Sequence, residues 1–265
     1  MNEQSYLKSL NNILSQGSEK RDRTGVGTIS LFGMMNRYSL RNSFPLLTTK
    51  KMFWKGIVIE LLWILRGDTN IKYLNDHGVH IWDANADEDG NLGPIYGYQW
   101  RNFDGEVDQL ANIVAQIQED PDSRRHVVTA WNPRQTEEMR LPPCHVMFQF
   151  YVSNGELSCM MTQRSADMFL GVPFNIASYS LLTYIVARMC KLKPGEFIHS
   201  IGDAHIYTNH KQQVYKQMFR KPFNPPRLEI TKNITNIEDL QALEFEDFKL
   251  IDYEYHPVIK AEMAV

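Results

Sequence analysis

The sequence predicts an α+β fold in a single domain, a mixed and largely antiparallel sheet packed by helices. Three observations point there. Strand-like and helix-like runs follow one another without a regular βαβ alternation. Asn154-Gly155 sits between two strand-like runs, a strong hairpin signal. The chain has 265 residues, 43% hydrophobic and 22% charged, enough to bury a sizeable core and typical of a globular protein.

Each element has its own signal. Over residues 4–16, Tyr6, Leu7, Leu10, Ile13 and Leu14 recur at helical spacing, and Gly17 stops the run. GTISLFGMMNRYSL reads as a strand kinked at Gly33. FWKGIVIELLWILRG is a mostly buried helix ending at Gly67, and EVDQLANIVAQIQEDP an amphipathic one stopped by Pro121. RHVVTAW is a strand, and HVMFQFYVSNGELSCMMTQRS is the hairpin. FNIASYSLLTYIVARMCKL is a long apolar helix, expected at the centre. Shorter strands are expected near 197–207 and 246–253, with surface excursions at 83–95 and 219–240.

Composition removes several function classes. A formal net charge of -3 argues against a protein built to coat nucleic acid, so RNA binding is not expected as the main role. MNEQSYLKSL lacks the apolar core of a signal peptide, and no apolar run reaches membrane-spanning length, so a cytoplasmic setting without membrane contact is expected. Cys144, Cys159 and Cys190 form neither a disulfide framework nor a zinc pattern.

The chemistry-bearing residues are fewer. In LPPCHVMFQF two prolines precede Cys144. A thiol needs activation to be a nucleophile, and arginine from DSRRH or from Arg164 would favour the thiolate. His145 is a poor base for it, since adjacent strand residues face opposite ways. A plainly buried cysteine is the commoner state of such a residue. Arg23, Arg124, Arg125 and Arg164-Ser165, with no basic tail, suit one compact dianion such as a nucleoside monophosphate, the alternative being surface ion pairs. Glu60 lies within GIVIELLWIL, where a carboxylate is either paired with a buried cation or raised in pKa and able to carry protons. Asn175 is a helix N-cap or a reader of a uracil edge. His205 and Tyr207 share a face if extended, and no third ligand supports a metal site with His210.

DRTGVGT, FPLLTTK, ELLW, IWDAN, LGPIYGYQWR, DSRRHVVTAWNP, LPPCH, FQFYV, QRSADMFLGVPFNIASY, GDAHIYTNH and the terminal KAEMAV occur in that order over nearly the whole chain. Together they resemble the thymidylate synthase family. The resemblance implies conversion of dUMP to dTMP, with 5,10-methylenetetrahydrofolate as co-substrate giving carbon and hydride, no metal, and a homodimer formed through a sheet face. It implies Cys144 as the nucleophile that adds to uracil C6. Glu60 would handle protons and Tyr96 would help remove the C5 proton, with Arg164, Asp167 and Asn175 completing the catalytic set. Arg23, Arg164 and Ser165 would hold the phosphate, and Gln163 and Asp167 would also contact dUMP. Arg124 and Arg125 would reach into the partner's site. Asn175 would read N3 and O4, and His205 and Tyr207 the sugar hydroxyl. The folate would meet Lys50, Phe53, Ile81, Trp82, Asn85, Leu141, Asp167, Leu170, Gly171, Phe174 and Tyr207, under a terminal lid of Ala264 and Val265.

Four positions depart from common family residues. Met160 and Thr162 stand where a glutamine and a tyrosine are frequent, and Thr162 is expected to change packing or water nearby. Asn85 replaces a tryptophan and Phe53 a histidine of many bacterial members, which bears on folate affinity. Two rivals are weighed. A uracil hydroxymethylase of the same fold would add water in place of hydride; Asn175 argues against a cytosine enzyme. A non-catalytic nucleotide or RNA binder would be expected to lose Cys144, Glu60, Asn175 or the terminal segment.

Overall fold

The computed structural model describes residues 2–22 and 24–263. Arg23, Ala264 and Val265, expected in the site, lie outside the described residues. The chain opens with helix α1 (Asn2–Gln16), whose Tyr6, Leu10 and Ile13 are buried as their spacing predicts. Strands β1 (Ser18–Lys20) and β2 (Thr28–Ser39) follow, then α2 (Trp54–Leu65), apolar on nearly every side. Two short helices, α3 (Lys72–Asp76) and α4 (Tyr96–Arg101), precede α5 (Gln109–Glu119). Asp108 caps α5 by accepting from the Ala111 N–H at 2.9 Å.

Strand β3 (Val127–Thr129) is a short edge beside the hairpin of β4 (His145–Ser153) and β5 (Glu156–Asp167). Asn154 and Gly155 take φ of 52° and 72°, the conformation that the hairpin signal demands. Helix α6 (Gly171–Met189) then crosses to β6 (Lys193–Tyr207), and α7 (Lys211–Met218), β7 (Arg227–Ile230) and β8 (Phe248–Ile251) complete the elements.

The main sheet runs β1-β2-β6-β5-β4-β3. Among the described strands only β5 and β6 are parallel, and α6 supplies the long connection that parallel neighbours need. On the inner face a chain of rings crosses the sheet. Trp100 meets Phe148 at 4.9 Å, Phe148 meets Tyr179 of α6 at 5.6 Å, and Tyr179 stacks on Phe197 at 5.9 Å. The core therefore lies between this face and helices α2 and α6.

The structure departs from the sequence expectations in two places. β6 begins at Lys193, not near 197, because Lys193 and Pro194 pair with Glu156 and Leu157 of β5 despite the breaker character of proline. The excursion at 219–240 contains β7, which pairs with β8 in a separate two-stranded sheet. The pairing of β2 with β6 lapses at Gly33, where φ is +82°, as the predicted kink requires.

The outer face of the sheet is unusually apolar for an exposed surface. Phe32, Met35 and Tyr151 are 86, 59 and 62% exposed. Period-two alternation in β5 buries Cys159, Met161 and Gln163 on the inner face and turns Met160 and Thr162 outward. Met160 and Thr162 thus lie on the outer face, away from the inner-face pocket.

Candidate functional site

Cys144 precedes β4, at the sheet end where β5 and β6 also finish. The peptide there is gripped from two sides. Its N–H donates to Tyr96 Oη at 2.8 Å, and its carbonyl accepts from the Arg164 N–H at 2.9 Å. Arg164 folds its guanidinium back onto the two prolines: Nε donates to Pro143 O at 2.9 Å and Nη2 to Pro142 O at 2.8 Å. The Trp131 ring lies beneath that guanidinium, 5.6 Å from its centre. Arginine is therefore brought to the cysteine segment, as the sequence suggested, by direct pairing of β5 with the residues before β4.

Gly202 makes this fit possible. It lies between the Gln163↔Ile201 and Ser165↔Asp203 pairs, opposite Arg164. A Cβ there would sit 2.9 Å from the Arg164 carbonyl oxygen, a contact with backbone that cannot swing away.

His145 does not face the thiol as a base. A register shift follows it in β4. Its ring packs on Tyr96 at 4.8 Å and on Tyr179 at 5.4 Å. Burial pulls its pKa down to about 4, so the ring is neutral. Its Nε2 lies 2.8 Å from Asn175 Nδ2 and accepts that N–H. Asn175 is buried in the first turns of α6 with no capping bond, so the N-cap alternative fails and its amide is turned toward β4.

Next to His145 in the sheet stands Gln163, and beyond it His199. Gln163 Nε2 donates to Ser165 O at 2.9 Å, and its Oε1 lies 2.8 Å from His199 Nε2. Gln163 is 3% exposed. These bonds fix its amide between Ser165 and His199.

Glu60, on α2, has no cationic partner among the described residues; its Oε1 accepts from Trp82 Nε1 at 2.8 Å. Burial pushes its pKa up to about 7, with the indole bond opposing in part. Among the described residues no lysine or arginine pairs with Glu60. Tyr96 bridges the two halves of the site. Its ring meets Trp82 edge-on at 6.1 Å, its hydroxyl holds Cys144, and burial raises its pKa far above the ordinary phenol.

Asp167 ends β5. Its Oδ1 accepts the N–H groups of Phe169 and Leu170 at 2.9 and 3.2 Å, which fixes the turn into α6. Leu170, Gly171 and Phe174 on this turn are half-buried, as are Ile81, Trp82, Asn85 and Leu141, leaving apolar surface accessible on the turn beside a carboxylate. Such a rim suits a flat, partly polar heterocycle. Phe53, 45% exposed, precedes α2 and lies over Gly56. Lys50 is the surprise in this set. It is buried, with Nζ 2.5 Å from Phe169 O and 3.8 Å from the Phe169 ring centre, and burial lowers its pKa to about 8.

At the end of β6, His205 and Tyr207 share a face with their rings 5.3 Å apart. Asp203 holds His205 Nδ1 at 3.2 Å and pairs with Lys20 at 2.9 Å. Nearby, Asp22 clasps its own loop, accepting from Thr24 N at 3.1 Å, Thr24 Oγ1 at 2.5 Å and Gly27 N at 2.7 Å. Sequence reasoning passed over Asp22, although an aspartate opening a glycine-rich turn is a recognisable Asx-turn signal. It also missed His199, Asp203 and Trp131, whose roles depend on neighbours distant in sequence.

Arg124 and Arg125 are exposed and stand apart from Cys144. Val127 pairs with Gln149 and the His126 carbonyl accepts from Phe150, so the two arginines lie level with the far end of β4. The separation from Cys144 is roughly 20 Å at about 3.4 Å per strand residue. Among the described residues no three His, Cys, Asp or Glu side chains gather as a metal site, and no helix is long and apolar enough to cross a membrane.

A profile described as thymidylate synthase matches residues 4–265. That span covers the gripped cysteine, the Asn175–His145 pair, the indole-bonded Glu60 and every ordered motif read from the sequence, and the chain belongs to the thymidylate synthase family.

Proposed function

We propose that this chain is a thymidylate synthase in activity: it methylates dUMP to dTMP with 5,10-methylenetetrahydrofolate, releasing dihydrofolate. The observation that carries the reading is the double grip on Cys144, by Tyr96 Oη and by the Arg164 backbone. It holds a thiol still beside a buried amide that offers both a donor and an acceptor.

In this reading Cys144, as thiolate, adds to C6 of the uracil ring, and the electron pair moves to C5. Arg164 and Ser165, with Arg23, hold the phosphate. Asn175 meets the ring edge, where N3–H donates to Oδ1 and O4 accepts from the amide hydrogen not given to His145. His205 and Tyr207 hold the sugar hydroxyl. The folate, packed on Trp82, Leu141, Leu170 and Phe174 with Asp167 on its pterin, supplies the one-carbon unit and the hydride when bound. Glu60, with a pKa of about 7, takes and returns protons near neutrality. Tyr96 assists removal of the C5 proton, after which the sulfur leaves C6. Closure of Ala264 and Val265 over the site excludes water.

The same reading makes the protein a homodimer. The exposed apolar outer face supports it, since a patch containing Phe32, Met35 and Tyr151 is costly to leave in water. Arg124 and Arg125 lie too far from their own Cys144 to serve it, and would act in the partner's site.

Product identification tests the proposal. Incubation with dUMP and methylenetetrahydrofolate, followed by mass spectrometry, is expected to show dTMP and dihydrofolate. Hydroxymethyl-dUMP with tetrahydrofolate would mean that water takes the place of hydride. Bound dUMP with no product would overturn the catalytic reading.

A further inference from the structure

Glu3 is a buried carboxylate with no cation beside it among the described residues, 8% exposed at the start of α1. Its two oxygens are saturated by two consecutive threonines. Oε2 accepts from Thr48 N at 2.9 Å and Thr48 Oγ1 at 2.6 Å; Oε1 accepts from Thr49 N at 2.9 Å and Thr49 Oγ1 at 2.5 Å. Four donors in two symmetric pairs make a strong anion seat. Such a seat costs desolvation, and stability alone would be served as well by apolar packing.

The other polar atoms of Thr48 and Thr49 reach the rest of the molecule. Thr48 O accepts from His256 N at 2.8 Å, and Thr48 Oγ1 from Phe223 N at 3.0 Å. Thr49 Oγ1 accepts from the buried Gln217 Nε2 at 2.9 Å. Arg220 Nη1 spans Thr49 O and Pro257 O, each at 2.7 Å. The next residue is Lys50, tied to Phe169 on the turn that carries Leu170. Further along the C-terminal segment, Glu262 O lies 2.7 Å from His210 Nε2.

We infer that Glu3 is a positioning residue: its carboxylate fixes the Thr48-Thr49 strut, and the strut seats both Lys50 and the C-terminal segment from His256 onward. Removing the charge loosens these two parts together while the dUMP-binding elements β5, β6 and α6 stay as they are. The consequence for folate rests on the function proposed above; the coupling between Glu3 and the C-terminal segment does not.

The test uses the full-length protein and the substitution Glu3→Gln. An amide nitrogen cannot accept, so one threonine N–H loses its acceptor and that threonine's hydroxyl must turn to accept from the amide. Hydrogen exchange is measured by residue, with dUMP affinity by calorimetry and KM for both substrates. Expected are exchange about tenfold faster or more at Thr48, Thr49 and His256, where local opening now costs less, unchanged dUMP affinity, and a folate KM raised about tenfold. Thr49→Val, which removes the hydroxyl shared by Glu3 and Gln217, should give the same pattern more weakly and serves if Glu3→Gln does not fold. Exchange at His256 that stays at the parental rate, or that rises equally over the whole chain, would overturn the inference. If the parent protein makes no dTMP, the functional reading fails and the exchange data still decide the role of Glu3.

Discussion

Replacing Glu60 with glutamine should make the protein more stable at alkaline pH while it disables turnover. Burial raises this carboxyl from 4.5 to about 7, and the only bond set against that is the Trp82 indole. Below 4.5 both the folded and the unfolded carboxyl hold the proton, and the group costs nothing. Between 4.5 and 7 the unfolded chain releases its proton and the folded one keeps it, so stability falls as pH rises. Above 7 the loss is complete, ~3 kcal/mol at about 1.4 kcal/mol per pH unit. The interval from pH 5 to pH 8 captures ~2.5 kcal/mol of it. Glutamine cannot ionise, and its amide oxygen can still accept from Trp82, so Glu60→Gln removes this slope. For a chain of 265 residues the unfolding entropy is about 0.56 kcal/mol/K, which converts the difference to ~4 °C in Tm. The assay is thermal melting of parent and variant at pH 5 and pH 8. The variant should gain about 4 °C on the parent between the two conditions, and the parent's activity limb near pH 7 should vanish with most of kcat. A variant-minus-parent Tm difference that is the same at both pH values would refute the account of Glu60 as a desolvated acid.

Other substitutions probe the remaining geometry. Tyr96→Phe strips the Cys144 N–H of its acceptor and should cost about 1–3 kcal/mol, read as ~2–5 °C in Tm, with a fall in kcat; an unchanged melt would mean that the 2.8 Å bond contributes nothing. Asn175→Asp should move preference from dUMP toward dCMP, and an unaltered ratio of kcat/KM would remove Asn175 as the base reader. Gly202→Ala forces the Arg164 carbonyl to shift from the 2.9 Å contact, so dUMP affinity measured by calorimetry should drop; parental affinity would show that the β6 backbone absorbs the methyl. Inactive Arg125→Ala and Cys144→Ala chains, mixed under conditions of proven subunit exchange, should regain part of the activity through heterodimers, and a mixture that stays inactive would exclude shared sites.

The parts of this molecule that were legible in the sequence are those fixed by local rules. Spacing in α1, the apolar length of α6 and the Asn154-Gly155 turn each determine their own structure within a few residues. Long-range pairing was not legible. Nothing local in KLKPGEF announces a strand; it becomes one because β5 offers a parallel edge across α6. The same limit explains the site. Cys144 and Glu60 stand out by residue type in the wrong surroundings, and the ordered motifs supply the rest by resemblance. His199, Trp131 and Glu3 matter only through partners 36, 33 and 45 or 46 positions away, and no window along the chain contains both members. Alternation also relocates the two strongest departures from the family. Met160 and Thr162 are separated from the buried Gln163 by strand parity alone, and parity puts them on the outer face with Met35 and Ile198. In the proposed homodimer their effect should therefore be felt first between subunits. Restoring a phenol at Thr162 would add a ring to a face already carrying Met147 opposite it, and a change in dimer dissociation constant, with folate KM unaffected, is the outcome that this placement requires.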